Sequence, residues 1–258
     1  MSVLARIALA TALVVPASAG ATGPRPSISL TASPAHVALQ GSGKATVRVT
    51  NAGRKPVVVD VQRAGFALDL RGRPRIVSAD KRSARSWITV RPRRFALGSG
   101  ASASLAMSAR LPPRAEPGDH GALVLLTTRR RRDAGVAVRM RLGVVVDVRA
   151  PGRLVHALDL RGLRVRRSGR LRTLELLVVN RGNVTEQLRS NLVSLALWRA
   201  GRLLGRLRPE PRQLLPRTRG LVVFRYRGRA RGTVSARATL LPEGGGGSTV
   251  ARTYRIRL

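Results

Sequence analysis

The chain has 258 residues, with 49 Lys+Arg against 12 Asp+Glu, a formal net charge of +37 and no cysteine. The missing cysteine excludes a disulfide framework, a thiolate metal site, a cysteine nucleophile and a lipobox thiol. Hydrophobic residues make up 43% of the chain but aromatics only 3%, so its cores must be built from Val, Leu, Ile and Ala.

Residues 1–19 read as a secretory signal. Arg6 gives a positive start, residues 7–15 are apolar, and Ala17 and Ala19 are the small residues of a cleavage site. The apolar run is too short for a bilayer, which needs roughly 20 residues. A buried first strand is the alternative reading. Residues 20–26 form a flexible lead. No later segment is apolar enough to span a membrane, so the expected location is secreted or cell envelope.

Strand-like runs then follow at short intervals, separated by Gly, Pro and Asn, which is the mark of a β-sandwich or barrel. Val47 and Val49 face one way and Thr46, Arg48 and Thr50 the other, before a turn at Asn51-Ala52-Gly53. Val57, Val59 and Val61 form the return strand. Leu105, Met107, Ala109 and Leu111 share a later face. The clearest alternation runs through Val136, Val138, Met140, Leu142, Val144, Val146 and Val148, with Arg139, Arg141, Asp147 and Arg149 opposite. Period-2 alternation over this length excludes a helix, and Gly143 is the expected bend.

Residues 150–153, with Pro151 and Gly152, interrupt the pattern and form the expected linker. The first sandwich then covers residues 27–149 and the second 154–258, with the last strand of one running almost directly into the first strand of the other. Leu176 to Gly182 repeats the pattern of Val47 to Gly53 when Asn180 is set on Asn51. A second echo, Ala67 to Gly72 against Ala157 to Gly162, falls out of step with those turns and reads as coincidence. Leu188, Leu192 and Leu195 have helical spacing, whereas Val193, Leu195 and Leu197 have strand spacing; the surrounding strands favour a hairpin. Strands through Val222, Val234 and Tyr254 complete the second domain, with a glycine loop at 244–247. The expected fold class is all-β, two tandem immunoglobulin-like β-sandwich domains.

Chemistry-bearing motifs are scarce. There is no Gly-x-Ser-x-Gly elbow, no His-Glu-x-x-His and no phosphate-binding glycine loop. His36, His120 and His156 are isolated in sequence. No enzyme activity, cofactor or metal is expected. The sharpest charge cluster is Arg129, Arg130, Arg131 and Arg132, read as a hairpin tip that is either a solvated turn or a clamp for phosphate or carboxylate groups. Asp119, His120, Arg139 and Arg141 complete the candidate binding residues. The arginine bias fits both codon usage in a GC-rich genome and selection for a polyanion. Nucleic acid is not the expected partner, because the chain carries an export signal and almost no stacking aromatics. Asn183-Val184-Thr185 matches a glycosylation sequon but reads as a polar turn.

Several of these segments resemble the WxL-interacting proteins of Gram-positive cell surfaces. They are Ser33-Pro34, Val47 to Gly53, Leu111-Pro112-Pro113, Pro117 to Gly121, the long strand ending at Pro151-Gly152, and Asn180 to Val184. The resemblance implies an N-terminal peptidoglycan-binding sandwich and a second sandwich that contacts a protein. His120 stands where that family usually has an aromatic, and its usual C-terminal transmembrane helix has no counterpart here. The leading expectation is therefore an exported cell-envelope adhesion protein whose arginine faces contact an anionic cell-wall polymer or peptidoglycan, with a surface protein as further partner. The alternative is a chaperone-like or scaffold subunit for cell-surface assembly that acts by β-strand addition.

Overall fold

The structure is a computed structural model that describes residues 26–78, 82–129, 131–133, 136–169, 171–241 and 249–258. The signal with Ala17 and Ala19, the lead up to residue 25, Arg130 and the loop 244–247 lie outside the described residues. Among the described residues there is no α-helix, only a short 3₁₀ turn at Ala84–Ser86.

The first domain holds β1 (Leu30–Ser33), β2 (His36–Gln40), β3 (Lys44–Asn51), β4 (Val57–Leu68), β5 (Pro74–Val77), β6 (Ile88–Arg91), β7 (Arg94–Leu97), β8 (Ser102–Ala109), β9 (Gly118–Thr128), β10 (Arg131–Asp133), β11 (Val136–Val138) and β12 (Arg141–Ala150). One sheet has the order β1-β3-β8-β6; the other has β2-β12-β9-β4-β5, with β7 also paired to β4. The chain changes sheet between β1 and β2. β1 runs antiparallel to β3 in the first sheet, and β2 runs parallel to β12 in the second.

The alternating residues of these strands meet between the sheets. Val47, Val49 and Leu105 from one sheet pack against Val59, Val124, Leu126, Val144, Val146 and Val148 from the other, all fully buried. Burying each such side chain stabilises by roughly 1.5–3 kcal/mol. The long alternating run breaks at Arg139–Met140, between β11 and β12, and not at Gly143. Gly143 pairs in register with Leu125. Thr128 sets the break: its hydroxyl accepts the Met140 N–H at 2.8 Å, while its own N–H donates to the Met140 carbonyl at 2.9 Å.

The second domain holds β13 (Leu158–Ser168), β14 (Leu171–Asn180), β15 (Glu186–Leu188), β16 (Val193–Arg199), β17 (Arg202–Leu207), β18 (Arg212–Leu214), β19 (Arg219–Tyr226), β20 (Thr233–Leu240) and β21 (Val250–Arg257). Sheets β13-β14-β19 and β17-β16-β20-β21 enclose a separate core of Leu174, Leu176, Leu195, Leu197, Phe224, Ala236 and Leu240. The two immunoglobulin-like sandwiches thus have independent interiors. The stretch that allowed a helix is strand: β16 turns into β17 through Ala200 (φ 44°) and Gly201 (φ 78°), the positive angles of a type I′ hairpin. The Ala67 and Ala157 echo is structurally unmatched, since Asp69 caps a turn and Asp159 lies within β13.

The Asn51 and Asn180 repeat, by contrast, extends to individual atoms. Asn51 Nδ2 donates to the carbonyls of Lys55 (2.9 Å), Leu97 (3.3 Å) and Gly98 (3.0 Å), and its Oδ1 accepts the Gly53 N–H at 3.0 Å. Asn180 Nδ2 donates to Val184 (2.7 Å), Leu214 (3.2 Å) and Leu215 (3.2 Å), and its Oδ1 accepts the Gly182 N–H at 2.9 Å. Both amides are wholly buried and both satisfy carbonyls at a corner where no ladder can. The glycines are required by space. A Cβ on Gly53 would lie 2.7 Å from Ser29 N, and one on Gly182 would lie 2.1 Å from the Val155 carbonyl oxygen.

Asn51→Ala and Asn180→Ala should each cost about 3 kcal/mol, because each leaves buried carbonyls and one N–H without partners. Calorimetry should show Asn51→Ala lowering the transition of the first domain and Asn180→Ala that of the second. Losses below about 0.5 kcal/mol would contradict a structural role for these corners.

Candidate functional site

The site is built on β12. Its register with β9 places Leu142 opposite Leu126 and Val144 opposite Val124, and Met140 exchanges its carbonyl bond with Thr128. Even-numbered residues therefore send their backbone groups toward β9, and odd-numbered residues send theirs to the other side. On that other side Val145 donates to the Ala35 carbonyl at 3.0 Å and Arg149 accepts from Gly41 at 2.9 Å. β2 covers β12 only over Val145 to Arg149. Among the described residues no strand pairs with residues 136–144 on that side.

This open edge has a defined chemical pattern. Val144 is buried, and Val138, Met140 and Leu142 are half-buried where they pack against the first core. Met140 Sδ lies 3.3 Å from Leu30 N, so the edge strand of the opposite sheet closes the gap behind it. Arg139, Arg141 and Gly143 are exposed on the outer face.

The described residues of the arginine cluster fall on and beside strands. Arg131 and Arg132 lie in β10, paired with Val138 and Ala137 of β11. Arg129 follows β9 and places its Nε 3.4 Å from Asp60, which also takes the Arg94 guanidinium at 2.6 Å. Arg94 is the first cause of the lowering of the Asp60 carboxyl below its ordinary value, reinforced by Arg129.

Asp119 and His120 are engaged inside the fold, at and beside the join between the domains. Asp119 takes the Arg149 guanidinium through both oxygens, at 2.6 and 2.9 Å, and accepts the Thr185 N–H of the second domain at 2.7 Å. Burial acts to raise this carboxyl, but the Arg149 and Thr185 hydrogen bonds outweigh it and hold the group below its ordinary value. His120 is only 5% exposed, packs its ring tilted against Trp87 with centroids 4.4 Å apart, and has a ring nitrogen 2.7 Å from each of the Arg82 and Glu116 carbonyls. A ligand finds no free polar atom on it. Asn183 is also occupied: its Nδ2 donates to the Pro117 and Arg153 carbonyls, each at 2.9 Å, and its Oδ1 accepts from Val155 at 2.7 Å. The sequon is thus a structural turn. The same contacts explain why β13 begins at Leu158 and not directly after the linker, since residues 153–157 spend their backbone bonds on the Asn180–Asn183 corner.

Two histidine–carboxylate pairs were invisible in sequence spacing. His36 Nε2 lies 2.7 Å from Asp147, joining β2 to β12, and His156 Nδ1 lies 2.9 Å from the buried Glu186. Among the described residues no group of three or more His, Cys, Asp or Glu could hold a metal ion. No helix there is long and apolar enough to cross a membrane.

No family model and no curated protein matches this sequence. Solved structures share the fold. The class 5 fimbriae chaperone CfaA superposes with a TM-score of 0.51 at 11% identity, over 87% of this chain and 98% of its own. A chain of the chaperone–tip adhesin complex that activates CFA/I fimbriae biogenesis gives 0.50 at 11% identity, again over 87% and 98%. These likenesses place the chain in a two-domain immunoglobulin-like architecture that known fimbrial chaperones also use. They overturn the leading expectation of a wall-polymer adhesin. Some arginines are paired with acids within the fold, Arg149 with Asp119, Arg71 with Glu175, Arg161 and Arg181 with Asp159, and Arg217 with Glu116.

The Asp147 hydrogen bond raises His36 above its ordinary value of 6.5, against the opposing effect of burial. The folded state therefore holds this proton more tightly than the unfolded chain. The stabilisation is complete below pH ~6.5 and is lost as pH rises through the raised folded value. The urea midpoint of the first domain should fall as pH is raised from about 6 to 9. His36→Gln should flatten that dependence, and an unchanged slope in the variant would show that the pair contributes nothing.

Proposed function

We propose that the protein is an exported, non-enzymatic chaperone-like or scaffold protein of the cell envelope that holds a protein partner by β-strand addition. The observation that carries this reading is the half-covered edge of β12. The edge is made of Val136–Val138 of β11 and residues 141–144 of β12, on either side of the break at Arg139–Met140, and spans about 30 Å at ~3.3 Å per residue. Among the described residues no strand pairs with their outer side, and Val138, Met140 and Leu142 form a half-buried apolar row beside it. An exposed edge of this length is a hazard in a protein with no use for it, and proteins usually cover or break such edges.

Strand addition takes its affinity from main-chain hydrogen bonds and its selectivity from pockets for alternate side chains; chaperone–pilin complexes are an established example of the mode. The fold shared with the fimbrial chaperone CfaA supports the same reading. So does the resemblance to the WxL-interacting proteins, which implies contact with a protein partner.

A nine-residue peptide of alternating Val and Thr is the direct probe. Calorimetry should give micromolar binding that changes less than about threefold between low and high salt, since backbone bonds and apolar contacts are weakly screened. Gly143→Pro removes an outward N–H while leaving the Leu142 and Val144 bonds to β9 in place, so it should weaken binding at least tenfold with little change in melting temperature. Equal binding by the folded variant would refute the assignment of the edge.

A further inference from the structure

Resting on the strand-addition reading, we infer that the partner segment bound by β12 is an extended stretch of a second protein with apolar and acidic residues in alternation. The backbone register dictates the first half of that pattern. A strand laid along residues 138–144 places every second side chain on the inner face, beside Val138, Met140, Leu142 and Val144, and these positions accept only apolar groups. The remaining side chains fall on the outer face, level with Arg139, Arg141 and Gly143. Directly opposed residues on neighbouring strands have Cβ atoms ~5 Å apart, within reach of an ion pair.

The charge of that outer face dictates the second half. Arg139 and Arg141 are both exposed, and neither has an acidic partner among the described residues. The nearby acids whose side chains are described are committed elsewhere. Asp147, further along the same strand face, is held by His36; Asp119 is held by Arg149; and Asp60 lies between Arg94 and Arg129. A lysine- or arginine-bearing strand would add like charges directly opposite the two guanidiniums, whereas an aspartate- or glutamate-bearing strand would supply the missing countercharges. The edge therefore selects by charge as well as by apolar pattern, and Gly143 adds no charge at the third outer position.

The test uses the full mature chain and three capped nine-residue peptides. One alternates Val with Asp, one alternates Val with Ser, and one has the composition of the first with its Val and Asp in two blocks. Binding is compared for the wild type, for Arg139→Ser/Arg141→Ser, and for a control, Arg202→Ser/Arg206→Ser, on the exposed β17 hairpin. The alternating Val/Asp peptide should bind the wild type roughly tenfold more tightly than the Val/Ser peptide at low salt. That advantage should vanish in the Arg139/Arg141 variant, persist in the control, and fade by about 0.5 M salt.

Equal binding of the Val/Asp and Val/Ser peptides would overturn the charge selectivity while leaving strand addition intact. Equal binding of the blocked peptide, or equal losses in both arginine variants, would reduce the preference to general attraction by a +37 protein and overturn it as well. A dimer of the free protein that disappears in Gly143→Pro would show that a second copy occupies the edge. Failure of every peptide to bind would remove the strand-addition reading itself.

Discussion

Every N–H and C=O of a strand needs a hydrogen-bond partner, and among the described residues β12 has a strand neighbour on only one side over residues 141–144. The cause lies in the passage from β1 to β2. β1 is committed to the sheet of β3, so the segment that follows reaches the other sheet only at His36 and covers β12 from Val145 onward. The uncovered half then depends on β9 alone. Its apolar row still packs on the core, so the strand stays folded while its outer polar groups face solvent. The buried half anchors the strand, and the proposed strand addition uses the open half.

The same hairpin also determines how the domains join. β9 and β12 begin and end at the boundary, where Asp119 on β9 binds Arg149 on β12 and the backbone of Thr185 in the second domain. Gly118, at φ +113°, lets its strand approach the Asn183 carbonyl so closely that an added Cβ would lie 2.1 Å away. A second contact lies at the far end of β4, where the Leu70 carbonyl accepts the Leu221 N–H of β19 at 2.7 Å and Arg71 reaches the buried Glu175 at 2.9 Å. Two separated points of attachment hold the domains more firmly than one flexible linker would. The open edge is thereby presented from a braced scaffold.

Much of this was legible in the sequence, and the reasons are local. Period-2 alternation reports which face of a strand is buried, so Val144, Val146 and Val148 marked a core strand without further information. The Asn-x-Gly corners at Asn51 and Asn180 were visible because a buried amide and a close-packed glycine are each required by the backbone within three residues. What depended on distant partners was not legible. The break in the long strand sits at Met140 because of Thr128, and Gly143 alone could not reveal it. Asp119 and His120 each read as candidate binding residues, because their partners Arg149, Thr185 and Trp87 are distant in sequence. Charge was the least informative signal: a net +37 records the excess of cations but not which arginines, such as Arg149 and Arg71, are tied to acids across the fold.

The central claim is that Arg141 and Gly143 carry free outward amides while their neighbours do not. Residue-resolved hydrogen exchange on the unliganded protein measures this directly. Leu142, Val144 and Val145, bonded to β9 or to Ala35, should exchange slowly, and Arg141 and Gly143 should exchange faster by at least about a hundredfold, as expected for amides released without local unfolding. Uniform protection from Arg141 to Arg149 would mean that the edge is already covered, and would contradict the account.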